Sequence, residues 1–216
     1  ANTLSVTGFK TTAPTTLQLP TADSSHDEVT RYFYDNDGRL IATLDSQGHI
    51  TQTIYNGAGE TIETIAYANA AYSSLLATGR LSQLLATAGT SSQDRHMRYF
   101  YDDRGLLRYT LDATLVPTEY VYDNAGNLIN TIAYAGSISS TSTYTLSYVQ
   151  SQISSTLASN SSNRASWAVH DPNTGNLAYA IDANGGVTGY AYNSLGQVVK
   201  EVAYATTRTT TSSPSL

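Results

Sequence analysis

Aspartates recur at regular spacing along this chain of 216 residues, and a pair of carboxylates is what an acid–base hydrolase would use. Two series can be recognised, with one member of each in every stretch of about 67–70 residues: Asp35, Asp102 and Asp171, then Asp45, Asp112 and Asp182. A catalytic residue has no reason to recur in every repeat, whereas a residue that forms a turn does. We therefore interpret both series as turn formers and predict neither catalytic residues nor enzyme activity.

Tyrosine is the second candidate for chemistry, since the chain has 17 tyrosines but only 3 phenylalanines and 1 tryptophan. A tyrosine ring can stack on a sugar while its hydroxyl bonds to the sugar hydroxyls. Pairs two residues apart share one face of a strand. The candidate carbohydrate contacts are Tyr32, Tyr34, Tyr99, Tyr101, Tyr120, Tyr122, Tyr190 and Tyr192. The alternative is that these rings pack the sheet or form cross-strand pairs.

Other chemistry has little support in the residues. Asp35-Asn36-Asp37-Gly38 resembles the start of a calcium loop, but the corresponding stretches later in the chain lose the pattern. The histidines, which show no metal spacing, are His26, His49, His96 and His170. The chain has no cysteine and none of the short motifs of serine hydrolases, zinc proteases or dinucleotide-binding proteins. We predict no cofactor and no metal.

Charge and hydropathy restrict the partners. The net charge is −6 with only 11 Lys and Arg, which argues against a nucleic-acid partner. No run of eighteen apolar residues is present, so we expect no membrane insertion. The first ten residues lack the pattern of a signal peptide.

An internal repeat organises the sequence. Residues 31–68 and 98–135 are identical at 20 of 38 positions, and a third copy occupies residues 167–205. Turn residues divide each copy about every ten residues, and the runs between them favour strands. We predict four strands per copy, hence about twelve in all. The turn formers are Asp35, Gly38, Asp45, Gly48, Asn56, Gly59, Asp102, Gly105, Asp112, Asp123, Gly126, Asp171, Gly175, Asp182, Gly185, Asn193 and Gly196.

Two inserts, residues 69–97 and 136–166, separate the copies. Apolar residues at helical spacing predict one amphipathic helix in each. The stripes are Leu81, Leu84, Leu85 and Ala88, then Leu146, Val149, Ile153 and Leu157. Residues 1–30 read as the end of a preceding insert with a linker, and residues 206–216 as a Ser/Thr-rich tail. We expect a fragment of a longer array, which would also account for the missing signal.

The repeated unit Tyr-Asp-x-x-Gly-x-Leu resembles the YD repeat of Rhs-type proteins. It stands at Tyr34–Leu40, Tyr101–Leu107 and Tyr122–Leu128, with weaker forms at Tyr55–Gly59, at Tyr192–Gly196 and at His170-Asp171. The resemblance implies strands that spiral into a hollow shell, in large secreted or surface-displayed bacterial proteins, toxin-complex components and teneurins. The helical inserts depart from the family pattern. The self-cleaving segment that ends bacterial shells has no visible match.

The predicted fold class is mainly β: repeated four-stranded antiparallel meanders of a YD-repeat spiral or open shell, with short helices between the copies. The predicted function is a non-catalytic scaffold in a secreted or surface-displayed bacterial protein, such as a segment of a toxin shell. The alternative is a carbohydrate-binding or adhesive module. Expected partners are neighbouring repeats of the parent chain and, in the alternative, glycans.

Overall fold

Runs rich in Thr, Ile, Leu and Tyr form short strands because β-branched and aromatic side chains pack well on a pleated surface. The structure, a computed structural model, describes residues 21, 23, 27–207 and 214. Its strands are β1 (Arg31–Tyr34), β2 (Leu40–Leu44), β3 (Ile50–Tyr55), β4 (Thr61–Ala66), β5 (Arg95–Tyr101), β6 (Leu107–Leu111), β7 (Pro117–Tyr122), β8 (Leu128–Ala133), β9 (Arg164–His170), β10 (Leu177–Ile181), β11 (Val187–Tyr192) and β12 (Val198–Ala203).

The twelve strands form one sheet in sequence order. The paired strands whose register is defined are antiparallel, as in a meander. The predicted fold class, four-stranded antiparallel meanders with short helices between them, is confirmed. The first strands of the second and third copies begin three residues before the copy boundaries, at Arg95 and Arg164, because those extra residues pair with the strand before them.

The helices lie in the two inserts. A 3₁₀ turn at Ser73–Leu75 precedes helix α1 (Leu81–Ala88), and helix α2 (Leu146–Gln152) continues into a π-helical turn at Ile153–Leu157. The side-chain oxygen of Gln83 accepts a hydrogen bond from the Arg80 N–H at 2.9 Å, which satisfies one free donor at the start of α1.

The chain divides into two compact units, Ala1–Gln52 with Tyr67–Ser91, and Thr53–Ala66 with Ser92–Leu216. The first unit has a core in which Leu84 and Ala88 of α1 pack with buried residues of β2 and β3. Its buried members are Ala42, Leu44, Ile50, Ala71, Leu84 and Ala88. Gly48 borders this core, where a Cβ would lie 3.0 Å from the Ala71 carbonyl oxygen, and its φ of +94° is a conformation that favours glycine.

The second unit has a separate core beneath α2. Val149, Ile153 and Leu157 of the second insert are buried there against β5 and β6. The buried members are Phe100, Tyr109, Leu111, Tyr134, Ile138, Val149, Ile153 and Leu157. In each unit, the helix of an insert therefore covers one face of strands that come before it in the sequence.

A β-bulge recurs in hairpins whose turn begins at a Tyr-Asp, Tyr-Asn or His-Asp pair. In the β1–β2 pair Phe33 lies opposite Ala42 but Tyr34 opposite Leu40, so that Ile41 is the extra residue. The same shift occurs in the β5–β6, β7–β8, β9–β10 and β11–β12 pairs. Bulges increase local twist, so the repeat includes a bend that periodicity alone does not reveal.

Candidate functional surfaces

The repeated aspartates lie at the tight turns between strands. In the first turn, the Asp35 carboxylate accepts hydrogen bonds from the backbone N–H groups of Asp37 and Arg39 at 3.0 and 2.9 Å. The Gly38 N–H donates to the Asp35 carbonyl, and Gly38 has a φ of +78°. This arrangement is a three-residue hairpin loop with glycine in the left-handed position.

The same bonding recurs along the chain with aspartate or asparagine at the first position. Asn56 and Asn193 accept the two equivalent backbone bonds through their amide oxygens. The aspartates that accept backbone N–H bonds in this way are Asp45, Asp102, Asp112, Asp123, Asp171 and Asp182. Asn56 and Asn193 stand where the second copy has Asp123. Because asparagine cannot serve as an acid or base, the same bonding with asparagine in this turn favours a turn role for the aspartates.

The turn hydrogen bonds also stabilise the ionised carboxylates. The backbone N–H of Arg39 lowers the pKa of Asp35, that of Leu106 lowers the pKa of Asp102, and that of Gly186 lowers the pKa of Asp182. A general acid at neutral pH requires a raised pKa, which is the opposite direction.

The turn after β6 uses a different residue at the glycine position. Leu115 has a φ of +63° there, and its N–H still donates to the Asp112 carbonyl at 3.0 Å. The Leu115 side chain packs against the core of the second unit. A left-handed conformation is unfavourable for leucine, and burial of the Leu115 side chain offsets this cost.

The tyrosine pairs of the first two copies lie on the sheet face opposite the insert helix that packs on each copy. On β5, for example, Phe100 is buried beneath α2, so Tyr99 and Tyr101 point the other way. The pairs of the first two copies face the next strand in a recurring pattern, with Tyr99 opposite Thr110 and Tyr101 opposite Leu107. Tyr120 and Tyr122 lie opposite the equivalent threonine and leucine, Thr131 and Leu128. In the third copy, Tyr190 and Tyr192 lie opposite Glu201 and Val198 instead.

Exposure differs between the tyrosine pairs. Tyr32 and Tyr34 on β1 are 57% and 59% exposed, whereas the other six rings are half-buried. The hydroxyls of Tyr101 and Tyr192 donate to the carbonyls of Thr61 and Leu177 at 3.0 and 2.9 Å. Burial raises the pKa of Tyr101. The first pair is therefore the one that presents most ring surface to a ligand.

Comparison with known proteins gives a match in fold. No family model and no curated protein matches the chain. Among solved structures, the chain is similar to a chain of the crystal structure of TcdB2-TccC3, with 16% identity and a TM-score of 0.50 over 83% of this chain and 8% of that one. This likeness shows a shared fold.

Two further structures are similar. A chain of TcdB2-TccC3-TEV has 15% identity and a TM-score of 0.49 over 81% of this chain and 8% of that one. A chain of the Photorhabdus luminescens Tc holotoxin pore has 14% identity and a TM-score of 0.41 over 81% and 9%. The chain thus spans less than a tenth of the length of these chains.

The remaining sequence candidates have identifiable neighbours. Arg39 forms ion pairs with Asp35 at 2.8 Å and Asp37 at 3.1 Å, so both carboxylates of the calcium-like stretch face a guanidinium. His49 lies 3.4 Å from Asp45, and His170 contacts the carbonyls of Gly175 and Leu128. The fourth histidine considered, His26, lies outside the described residues. Over residues 27–207, no cluster of three or more His, Asp or Glu side chains is arranged to hold a metal.

Sequence reasoning missed an ionic cluster where the first two copies join. Glu63 of β4 lies directly opposite Arg98 of β5. One Glu63 carboxylate oxygen is 3.0 Å from Arg98 Nε and 2.8 Å from His96 Nδ1. The Arg98 guanidinium also lies 4.6 Å from the ring centroid of Tyr144. A groove of about 460 Å³ runs beside these side chains.

The helices are too short or too polar to cross a bilayer, as judged on the part of the chain that the structure describes. The expectations for residues 1–30 and 206–216 fall largely outside that part.

Proposed function

We propose that the chain is a non-catalytic scaffold segment of a large secreted or surface-displayed bacterial YD-repeat protein, in which it forms part of the wall of a toxin shell. The observation that carries the proposal is that the repeated carboxylates bond to the backbone of their own turns. A side chain that makes the same turn hydrogen bonds in every copy has a structural role, because it fixes the turn between two strands.

The order of the strands supports a role as one section of a longer wall. Each strand pairs with its neighbours in sequence, so further copies can be added at either end without rearranging the rest. The fold similarity to TcdB2-TccC3, over 8% of that chain, is consistent with a section of a much larger sheet. Secretion and surface display are part of this proposal.

Removal of the third copy tests the scaffold proposal. Deleting residues 164–216 removes β9–β12 and the β8–β9 pairing but leaves both insert helices and their cores. In a repeat array, stability is a sum over copies and their junctions. We expect the shortened chain to unfold cooperatively in urea, with a lower midpoint and a smaller dependence on urea concentration.

The contrary outcome is the loss of all native structure on this deletion, measured by circular dichroism. That result would mean that the third copy is part of an indivisible domain, and it would overturn the scaffold proposal. A deletion of the tail alone, residues 208–216, is the control that separates any effect of the tail from that of β9–β12.

A second candidate function, glycan binding, is favoured by the exposure of Tyr32 and Tyr34. Two rings on one strand face can stack on successive sugar units. The test is a glycan array with the wild-type chain and with Tyr32→Ala/Tyr34→Ala, and the half-buried pair Tyr99→Ala/Tyr101→Ala serves as the comparison. Loss of a signal in the first variant alone would support the candidate, and no binding to any glycan would reject it.

A further inference from the structure

Consecutive copies join through strand pairs of equal register, which we call seams. The first seam pairs β4 with β5 and places Glu63 opposite Arg98. The second seam pairs β8 with β9 and places Asn130 opposite Trp167. Glu63 and Asn130 occupy equivalent positions in their copies, 67 residues apart. The equivalent residue of β12 is Lys200.

The residues at this position differ in charge from seam to seam. In the first seam, Glu63 is ion-paired with Arg98 and hydrogen-bonded to His96, and the Glu63 and Arg98 side chains are 22% and 21% exposed. In the second seam both residues are uncharged, and Asn130 is 6% exposed. Strand pairing therefore shields this position from solvent. The two side chains that meet there are oppositely charged in the first seam and both uncharged in the second.

Strand β12 corresponds to the first strand of a seam but has no described partner strand. It is the last strand of the described sheet, so one of its backbone edges has no described strand beside it. Val198 and Val199 are 53% and 62% exposed, whereas their counterparts in β4 and β8 are half-buried. Lys200 is exposed and has no ion pair with any residue in the described range. An edge of this kind is a template for another strand.

We infer that β12 accepts an antiparallel strand that carries an aspartate or glutamate directly opposite Lys200. This inference rests on the proposed function, because it supposes that the array continues past β12. A carboxylate at that position would reproduce the charge match of the first seam with its signs reversed. Oppositely charged cross-strand pairs stabilise a sheet, and like charges directly opposite each other destabilise it.

The first strand of a second copy of this chain does not meet that requirement. The seam register would place Arg31, the equivalent of Arg98, opposite Lys200. The Arg31 guanidinium already donates to the carbonyls of Leu76 and Gly79 at 2.8 Å, so it is held in place. Two cations would then meet at the centre of the new seam. The edge thus selects an acidic strand over the chain's own first strand.

Disulfide trapping can measure this selection, because the chain has no cysteine of its own. The seam register places Val202 opposite the position of His96. We would prepare the full chain with Val202→Cys, and peptides of residues 95–101 with His96→Cys. The peptides carry the native Arg98, Arg98→Glu, or Arg95→Glu. The last is the matched control, since it has the same net charge but places its acid opposite Ala203.

In a glutathione buffer, the fraction of mixed disulfide at equilibrium reports strand pairing. We expect the Arg98→Glu peptide to be trapped about fivefold or more over both other peptides at low salt. In the Lys200→Gln variant of the chain, the ratio of trapped Arg98→Glu peptide to trapped native peptide should fall toward one. In the Lys200→Glu variant, the native peptide should be trapped more than the Arg98→Glu peptide. The net charge of −6 on the chain favours the more basic native peptide, so nonspecific attraction works against this result.

Two outcomes would contradict the inference, and they have different meanings. Equal trapping of the Arg98→Glu and Arg95→Glu peptides would overturn the requirement for an acid opposite Lys200 while leaving the scaffold proposal intact. Trapping of every peptide no better than that of a scrambled sequence would overturn the inference together with the idea that the array continues past β12.

Discussion

Tyr109 lies directly opposite Glu119 in the β6–β7 pair, and its hydroxyl donates a hydrogen bond to a Glu119 carboxylate oxygen at 2.9 Å. The Tyr134 hydroxyl donates to the other oxygen. In the first copy, the Tyr67 hydroxyl donates to Gln52 at 2.8 Å in the same way. One polar side chain on the third strand of a copy thus anchors the tyrosine that follows the fourth strand, just before the insert begins.

Removal of this anchor should destabilise the second unit. We expect Glu119→Ala to lower the free energy of unfolding by about 1–3 kcal/mol, because it leaves two buried hydroxyls without their acceptor. Glu119→Gln should lower it less, since Gln52 fills the same role in the first copy. Urea unfolding measures the difference. Equal losses in the two variants would show that the hydrogen bonds are not the source of the effect.

The same pair predicts alkaline behaviour. Burial, together with the charge of Glu119, raises the pKa of Tyr109 to about 12 and also raises that of Tyr134. A pKa that is higher in the folded than in the unfolded chain contributes stability that is complete below the unfolded value, near 10, and is lost as the pH rises through the folded value. We therefore expect the urea midpoint to fall between about pH 10 and 12.

The check on this prediction is the ultraviolet absorbance of phenolate, followed during a pH titration. Glu119→Gln should let Tyr109 ionise at lower pH, because the nearby negative charge is gone. Asp103→Asn removes a charge from an exposed position and is the control. An unchanged titration curve in Glu119→Gln would contradict the coupling.

The turn role of the aspartates can be tested at Asp112. Its carboxylate accepts bonds from the Thr114 and Val116 N–H groups at 2.8 and 2.9 Å. Asp112→Ala should lower the free energy of unfolding by about 1–2 kcal/mol, because two backbone donors lose their acceptor. Asp112→Asn should keep most of the stability, as Asn56 does in its own turn. If Asp112 had no structural role, as would suit a catalytic residue, both variants would be as stable as the wild type.

Acid should destabilise the protein through the same turns. Backbone N–H bonds lower the pKa of Asp102 and of Asp171 below their ordinary value. A depressed pKa gives stability that is present above the unfolded value, near 4, and is lost as the pH falls through the folded value. We expect the melting temperature to decline steadily below about pH 5. Replacing turn aspartates with asparagine should flatten this decline, and an unaffected slope would contradict the assignment.

The sequence predicted the features that depend on local spacing. Turn chemistry at Asp35 or Asn56 is set by residues within four positions, and the apolar stripe of each insert is visible in any window of a dozen residues. The repeat then extended those local predictions to the whole sheet. The number of strands and the fold class followed from these patterns.

Long-range relationships were not predictable in the same way. The ion pair of Glu63 with Arg98 depends on a register that is set across an insert of 29 residues, and periodicity does not encode that register. The bulge at Ile41 needs the pairing of two strands before it can be seen. Leu115 follows a turn aspartate without glycine, and only the core contact of its side chain accounts for it.

The third copy differs at the anchoring position, where Gly189 replaces Gln52 and Glu119. A Cβ at Gly189 would lie 3.1 Å from the Tyr179 ring and 3.2 Å from the Tyr204 ring, so these rings must give way by a few tenths of an ångström. Tyr204 is 48% exposed, so its ring has room to shift outward. A glutamine here could accept a bond from the Tyr204 hydroxyl, as Gln52 does from Tyr67.

We expect Gly189→Gln to raise the free energy of unfolding by about 0.5–1.5 kcal/mol, the usual net value of one hydrogen bond. Gly189→Ala is the control, since it has the same backbone effect without an acceptor. Adding Tyr204→Phe to the glutamine variant should cancel the gain, because the donor is then lost. If the alanine and glutamine variants have equal stability, the anchoring role of this position does not extend to the third copy.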